Sequence, residues 1–173
     1  MQTSSDLAPP LEPIEFIIPQ TEAESHRLLP LIRAAHKENT IFDLAYDEND
    51  YKDIMEKARN SPLDHGCFYI LLRGTPACYM IFMQQPLMCS SKQFITSMHS
   101  AYIRHDLRNT ELGHEIWQHA INLVRAWSKQ RGSNGIMFNY TMGIAPDDFD
   151  AMTRIHRAAY LGGNYFLRSG APR

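Results

Sequence analysis

The sequence predicts a single α/β domain, of the α+β kind, built around a mixed and mostly antiparallel sheet. Its 173 residues suit one hydrophobic core, because two domains of half that length would each bury little apolar surface. The hydrophobic period changes along the chain from helix-like to strand-like. A long amphipathic helix lies between two strand-like segments, and such a crossover joins parallel strands, whereas the hairpin before it is antiparallel.

Composition excludes several classes of protein. Hydrophobic residues make up 44% of the chain and charged residues 21%, which is typical of a globular domain. The formal net charge of -2 gives no electrostatic reason to expect a nucleic acid or an anionic membrane as partner. The longest apolar stretches, residues 67–72 and 77–83, are far too short to span a bilayer.

The cysteines and the N-terminal segment indicate a cytoplasmic protein. Cys67, Cys78 and Cys89 are odd in number and lie in or beside apolar segments, without a C-x-x-C pair. Such cysteines are usually buried in a reducing compartment. Residues 1–19 lack the basic start and apolar run of a secretory signal.

The first part of the chain predicts a flexible lead, a strand and helices. Residues 1–13 are polar and contain three prolines, so we expect a flexible lead before one domain over residues 14–173. Residues 14–18 read as the first strand. Thr21 begins a capping box that opens a helix, and Pro30 predicts a kink or two shorter helices.

The remaining elements follow from period and turn signals. They are a helix over 48–59, a hairpin of 67–73 and 78–83 with its turn at 74–76, a strand over 94–103, a helix over 111–129, a strand over 136–140, a helix over 149–160 and a last strand over 164–168.

The segment between the strand over 94–103 and the long helix is the candidate for an anion site. The first turn of a helix has unpaired N–H groups and the positive end of the helix dipole. Arg108 can add a charged partner for a phosphate. Asn109 and Thr110 can cap the helix, and Gly113 permits close approach of an anion.

This segment resembles the GCN5-related N-acetyltransferase (GNAT) superfamily, whose fingerprint between the fourth strand and third helix is Q/R-x-x-G-x-G/A. The apolar Ile103, the arginine at 108, Gly113 and the apolar pair at 116–117 fit that spacing. Element order agrees over residues 14–168. Glu111 stands where the family has its middle glycine, and its carboxylate would repel a pyrophosphate if it faced the site.

The resemblance implies acetyl-CoA or another acyl-CoA as cofactor, bound in a splay between the fourth and fifth strands with helices on both faces of the sheet. A backbone N–H on the fourth strand would polarise the thioester carbonyl. The implied cofactor-binding residues are Ala101, Tyr102, Ile103, Arg108, Asn109, Thr110, Glu111, Leu112, Gly113, His114 and Asn139.

For acid–base chemistry, the family often places a glutamate on the fourth strand, but residues 94–103 contain no acidic side chain. Strict alternation puts residues 95, 97, 99, 101 and 103 on one face. His99 is the titratable group on that face and the candidate base; a purely structural histidine is the alternative. The resemblance offers His156 and Tyr160 as acids for the departing thiolate, with helix packing as the alternative.

Two functions therefore remain open at this point. The first is an N-acyltransferase that acts on a primary amine of a small molecule or protein by direct attack in a ternary complex. The second is a catalytically inactive GNAT-fold module that binds CoA or a protein. A homodimer is left open.

His114 and His119 are five residues apart, which does not put them on one helix face, so no metal site is expected.

Overall fold

The computed structural model describes residues 14–38, 46–87 and 92–137. In chain order these contain β1 (Ile14–Ile17), α1 (Glu22–His26), α2 (Leu29–Glu38), α3 (Glu48–Asn60), β2 (His65–Leu72), β3 (Thr75–Pro86), β4 (Phe94–Ile103), a 3-10 turn (His105–Leu107), α4 (Glu111–Gln130) and β5 (Ser133–Met137). The predicted lead over 1–13, the end of the strand over 136–140, the helix over 149–160 and the strand over 164–168 lie outside the described residues.

The sheet has the order β1-β2-β3-β4-β5. The first three pairs are antiparallel and β4 pairs with β5 in parallel, which confirms the predicted mixed sheet and the crossover through α4. Parallel pairing joins Phe94 to Ser133, Thr96 to Ile136 and Ser97 to Met137. The splay was expected between residues 99–103 and 136–139, and residues 138 and 139 lie outside the described residues.

Two short helices form after β1, which confirms one of the two alternatives predicted from Pro30. The capping box is present: the amide of Glu24 donates to Thr21 Oγ1 at 3.2 Å, and the amide of Thr21 donates to the Glu24 carboxylate at 3.1 Å. α1 ends at His26 and α2 begins at Leu29. Pro30 then lies in the first turn of α2, where its missing N–H costs no helical hydrogen bond.

The hairpin turn lies earlier than the sequence predicts. Leu72 pairs with Thr75, so the turn consists of Arg73 and Gly74, whose φ angles are 54° and 73°. Two residues of positive φ match the twist of a hairpin. The prediction of a turn at 74–76 was wrong because Pro76 belongs to β3, where it lies opposite Leu71 beside a bulge.

The sheet separates two apolar cores, which confirms helices on both faces. One side of the sheet packs against α4 through residues such as Met80, Met98 and Ile121. The other side packs against α2 and α3 through residues such as Ile32 and Tyr79. β4 contributes side chains to both cores, Met98 to the core on the α4 side and Tyr102 to the core on the α2 side.

A chain of buried hydroxyl groups holds the crossover in place. Ser128 on α4 donates to Thr96 Oγ1 on β4 at 2.7 Å, and Thr96 donates to Ser133 Oγ on β5 at 3.1 Å. Gln84 on β3 donates to Ser133 Oγ at 3.4 Å and to the Arg131 carbonyl at 2.9 Å. Four elements are thus tied together near the start of β4.

None of the helices in the described ranges is both long enough and apolar enough to cross a membrane.

Candidate functional site

The loop from β4 to α4 is closed by Thr110, the N-cap of α4. Its Oγ1 accepts from the amide of Gly113 at 3.0 Å and donates to the carbonyl of Leu107 at 2.8 Å. Its carbonyl accepts from the amide of His114 at 3.0 Å. One side chain therefore ties the 3-10 turn to the first turn of the helix, which begins at Glu111 as predicted.

Gly113 serves a purpose that differs from the one inferred from sequence. A Cβ at this position would lie 1.8 Å from the carbonyl oxygen of Leu107. The missing side chain therefore lets the loop backbone pack onto the helix. The close approach of an anion to the backbone of Gly113 stays a prediction.

Three backbone N–H groups remain free at the start of α4. Within the described part of the chain, the amides of Asn109, Glu111 and Leu112 donate to no acceptor, whereas those of Gly113 and His114 are bonded to Thr110. Asn109 has a positive φ of 60°, a conformation that asparagine tolerates well. Free amides beside the positive end of a helix dipole favour an anion.

The Glu111 carboxylate does not occupy these amides. Glu111 is exposed, and no described group donates a hydrogen bond to its side chain. The departure from the family pattern therefore leaves the free amides open, although the negative charge stays near them.

The side chain of Arg108 is directed toward protein groups. Its Nε donates to the carbonyl of Ile103 at 3.2 Å, and its Nη2 lies 2.6 Å from Oε2 of Glu38 at the end of α2. Its guanidinium carbon lies 4.9 Å from the centre of the Tyr102 ring, in a cation–π arrangement. The predicted contact between Arg108 and a phosphate stays a prediction.

Tyr102 completes this cluster. Its hydroxyl donates to Oε1 of Glu38 at 2.6 Å, so the two carboxylate oxygens of Glu38 take one partner each. Burial alone would raise the pKa of Glu38, but the hydrogen bonds from Tyr102 and Arg108 outweigh it and hold that pKa below its usual value. Burial and the neighbouring Glu38 carboxylate raise the pKa of Tyr102 to about 12. Glu38 is therefore the ionised acceptor and Tyr102 the protonated donor at neutral pH.

His99 lies at a bulge in β4. Met98 pairs with Phe82 and Ser100 with Ile81, so His99 is the extra residue between two consecutive partners on β3. The bulge shifts the alternation: Met98, Ala101 and Ile103 all pack on the α4 side, whereas Tyr102 packs on the other side. The prediction that residues 95, 97, 99, 101 and 103 share one face was therefore wrong.

The His99 ring is exposed at the surface. Partial desolvation by the surrounding protein lowers its pKa below the usual 6.5, and the charge of His65 lowers it further. His65 begins β2, and its buried Nδ1 has no hydrogen-bond partner among the residues that the structure describes. His99 is thus held in the neutral form that can accept a proton.

The structure brings most of the predicted site residues together at the end of β4 and the start of α4. These residues are Ala101, Tyr102, Ile103, Arg108, Asn109, Thr110, Glu111, Leu112, Gly113 and His114. Asn139, His156 and Tyr160 lie outside the described residues. The sequence analysis missed Glu38, because its partner Arg108 lies 70 positions away and no local pattern links them.

Comparison with known proteins identifies the fold of this chain. No protein-family model matches the sequence, and no curated protein matches it significantly. Solved structures do match, and those described below are all N-acetyltransferases. The chain therefore has the GNAT fold, as the resemblance of the β4–α4 segment predicted.

Three solved structures illustrate the match. Ribosomal-protein-alanine N-acetyltransferase from Brucella melitensis biovar Abortus 2308 superposes with a TM-score of 0.67 and 14% identity, over 92% of this chain and 99% of that one. Glucosamine-6-phosphate N-acetyltransferase from Arabidopsis thaliana superposes with a TM-score of 0.60 and 10% identity, over 92% of this chain and 99% of that one. Aminoglycoside N-acetyltransferase AAC(6')-Iy in complex with CoA superposes with a TM-score of 0.58 and 11% identity, over 96% of this chain and 98% of that one.

Proposed function

We propose that this protein is an N-acyltransferase that moves an acyl group from acetyl-CoA or another acyl-CoA to a primary amine. The observation that carries the proposal is the set of free amides at Asn109, Glu111 and Leu112, at the β4–α4 junction of a GNAT fold. The solved structures with this fold are named for a protein alanine, an aminoglycoside and an amino sugar phosphate. Their common feature is an amine acceptor, so the proposal extends to a small-molecule or protein amine.

The three free amides fit the pyrophosphate of an acyl-CoA. Backbone N–H groups that point to an anion from a helix start give short, charge-assisted hydrogen bonds. Thr110 keeps these groups oriented by capping α4 and by bonding to Leu107.

The outer edge of β4 would hold the rest of the cofactor. Ala101 and Ile103 pair with Met80 and Cys78 of β3 on one edge. Within the described ranges no strand pairs with residues 98–103 on the opposite edge, which supports the proposal that main-chain groups there bond the pantetheine arm. Asn139 is proposed as a further contact. Bound acyl-CoA supplies the activated thioester.

His99 is proposed to accept the proton that the attacking amine loses, directly or through water. Its lowered pKa keeps the imidazole neutral at neutral pH. His156 or Tyr160 is proposed to protonate the departing thiolate. Holding acceptor and thioester together in one complex would supply much of the rate.

A pair of variants at Glu111 tests the cofactor site. Glu111 is the first residue of α4, and proline is favoured there because it loses only an amide that is already free. Thr110 before it has φ -105° and ψ 154°, which a following proline accepts. We expect Glu111→Pro to bind acetyl-CoA about tenfold more weakly than Glu111→Ala, since one charged hydrogen bond is worth roughly 1.5–3 kcal/mol.

Glu111→Ala is the matched control, because it removes the same carboxylate and keeps the amide. Titration calorimetry measures both affinities. Equal affinities for the two variants would exclude the Glu111 amide from the phosphate site, and absence of binding by the unmodified protein would exclude the cofactor altogether.

Release of free thiol separates catalysis from binding alone. We expect acetyl-CoA with a panel of primary amines to release CoA thiol in the presence of the protein. Binding of acetyl-CoA without thiol release, for every amine, would instead support the inactive binding module.

We also propose that the protein works in the cytoplasm. Cys67 and Cys78 are free and buried, and burial raises the pKa of Cys67 to about 12. Thiols of this kind suit a reducing compartment.

A further inference from the structure

An ionic contact crosses from the cofactor loop to the opposite side of the sheet. Arg108 lies in the loop before α4, and Glu38 ends α2, which packs on the other side. The two residues are 70 positions apart, and their charged atoms lie 2.6 Å apart. Both side chains remain partly exposed, at 37% and 36%, whereas Tyr102 beneath them is only 8% exposed.

Arg108 is held by three contacts, two of them with the end of β4 and one with the end of α2. Its Nε bonds to Ile103, the last residue of β4, so the side chain folds back on the strand that precedes the loop. Its guanidinium covers the Tyr102 ring. Glu38 bonds to both the guanidinium and the Tyr102 hydroxyl, and therefore fixes one relative to the other.

The backbone next to Arg108 is the part of the loop that exposes amides. Asn109 follows with a positive φ, and Thr110 then caps α4. A long arginine side chain has many rotamers, and holding it in one requires partners that offset the lost entropy. Removing Glu38 takes away the only carboxylate that bonds to Arg108 in the described part of the chain.

We propose that Glu38 is a positioning residue of the acyl-CoA site: through Arg108 and Tyr102 it holds the β4–α4 loop in the conformation that presents the free amides. This inference rests on the proposed function, because it assigns a role within the same site. It also couples the end of α2 to the cofactor loop.

Amide hydrogen exchange of the cofactor-free protein tests the inference directly. The amide of Thr110 donates to Leu107, that of Gly113 to the Thr110 side chain and that of His114 to the Thr110 carbonyl. In Glu38→Ala we expect these three amides to exchange about tenfold faster, because the loop opens more often. Glu38→Gln, which keeps an oxygen acceptor, should lie between Glu38→Ala and the unmodified protein.

Glu48→Ala is the matched control. Glu48 at the start of α3 pairs with Arg33 of α2, so this variant also removes a carboxylate–arginine contact between elements, but away from the loop. We expect no change in exchange at the three amides in Glu48→Ala.

Binding of acetyl-CoA gives the second measurement. Glu38→Ala should bind about tenfold more weakly, and Glu38→Ala combined with Arg108→Gln should bind no more weakly than Arg108→Gln alone, since both act on one contact. Tyr102→Phe, which removes only a hydroxyl group, provides a milder variant with a smaller effect in the same direction.

The two proposals fail separately. Unchanged exchange at the three amides in Glu38→Ala and Tyr102→Phe, or additive losses of affinity in the double variant, would overturn the positioning role. Faster exchange in a protein that never binds acetyl-CoA would support Glu38 as the residue that orders the loop and would reject the proposed function.

Discussion

Thr110 and Arg108 show how single side chains prepare the site before any ligand arrives. Thr110 satisfies one amide of α4 and one loop carbonyl with a single hydroxyl group. Arg108 directs its charge to Glu38. Under the proposed function, the free amides would be the groups that define where a phosphate binds.

His99 provides a prediction at the residue scale. If His99 is the base, His99→Gln should lower kcat roughly 100-fold, the smaller end of the range for general base catalysis. The base must be neutral, so activity is present above its pKa and is lost as the pH falls through it. Because desolvation and His65 lower that pKa, the acidic limb of kcat/KM should lie below pH 6.5.

The pH profile of thiol release checks this assignment. His65→Gln removes the neighbouring imidazole, whose electrostatic effect lowers the pKa of His99, and should move the acidic limb upward, toward the usual histidine value. A limb that persists unchanged in His99→Gln would assign the proton transfer to another group.

At the scale of elements, the site depends on how the loop packs onto the start of α4. The carbonyl of Leu107 lies where the side chain of residue 113 would be, and the same carbonyl accepts from Thr110. The 3-10 turn and the helix therefore fit together only with glycine at this position. The distance between strand end and helix start is set by that contact.

Gly113→Ala tests this packing. Alanine favours a helix over glycine by roughly 0.5–1 kcal/mol, but the clash with Leu107 should outweigh that gain. We expect a net loss of about 1–3 kcal/mol in the free energy of unfolding, as for other overpacked sites, measured by urea denaturation.

Gly135→Ala serves as the control, because a Cβ at Gly135 meets nothing within 4 Å. It should change the free energy of unfolding by less than about 0.5 kcal/mol. Equal stabilities of the two variants would mean that the loop moves away from residue 113 at little cost.

At the scale of the whole molecule, the crossover from β4 through α4 to β5 is held by polar groups inside the fold. Thr96, Ser128 and Ser133 come from three different elements and are bonded in one chain. Thr96 is fully buried, so its hydroxyl group cannot form a hydrogen bond with bulk water instead. These hydrogen bonds keep β4 aligned with α4, the helix whose start carries the free amides.

Thr96→Val should lower the free energy of unfolding by about 1–3 kcal/mol, because it keeps the shape of the side chain and leaves buried hydroxyl groups without partners. Urea denaturation measures the loss. Adding Ser128→Ala to Thr96→Val should recover part of it, since one unpaired hydroxyl group is then removed.

Thr75→Val at the exposed start of β3 is the control and should change the free energy of unfolding by less than about 0.5 kcal/mol. A similar loss in Thr96→Val and Thr75→Val would contradict the importance of the buried hydrogen bonds.

Local patterns in the sequence were sufficient for most of the element boundaries. The strand over 94–103 and the start of α4 agree with the structure residue for residue. The hairpin turn did not, because Gly-Thr-Pro is a common turn signal and the register with β2 placed the turn at Arg73 and Gly74 instead. The candidate amides were predictable because a capped helix start after a strand leaves the same groups free in any protein.

What the sequence determined by itself, over the residues that the structure describes, was the order of helices and strands, the mixed sheet and the loop that offers backbone amides, because hydrophobic period and helix caps act over a few residues. Only the tertiary structure decided that His99 sits at a bulge, that Leu107 requires Gly113 and that Arg108 pairs with Glu38. Each of these depends on strand register or on contacts between segments far apart in the chain. Such contacts arise from the packing of the whole domain and leave no local pattern to read.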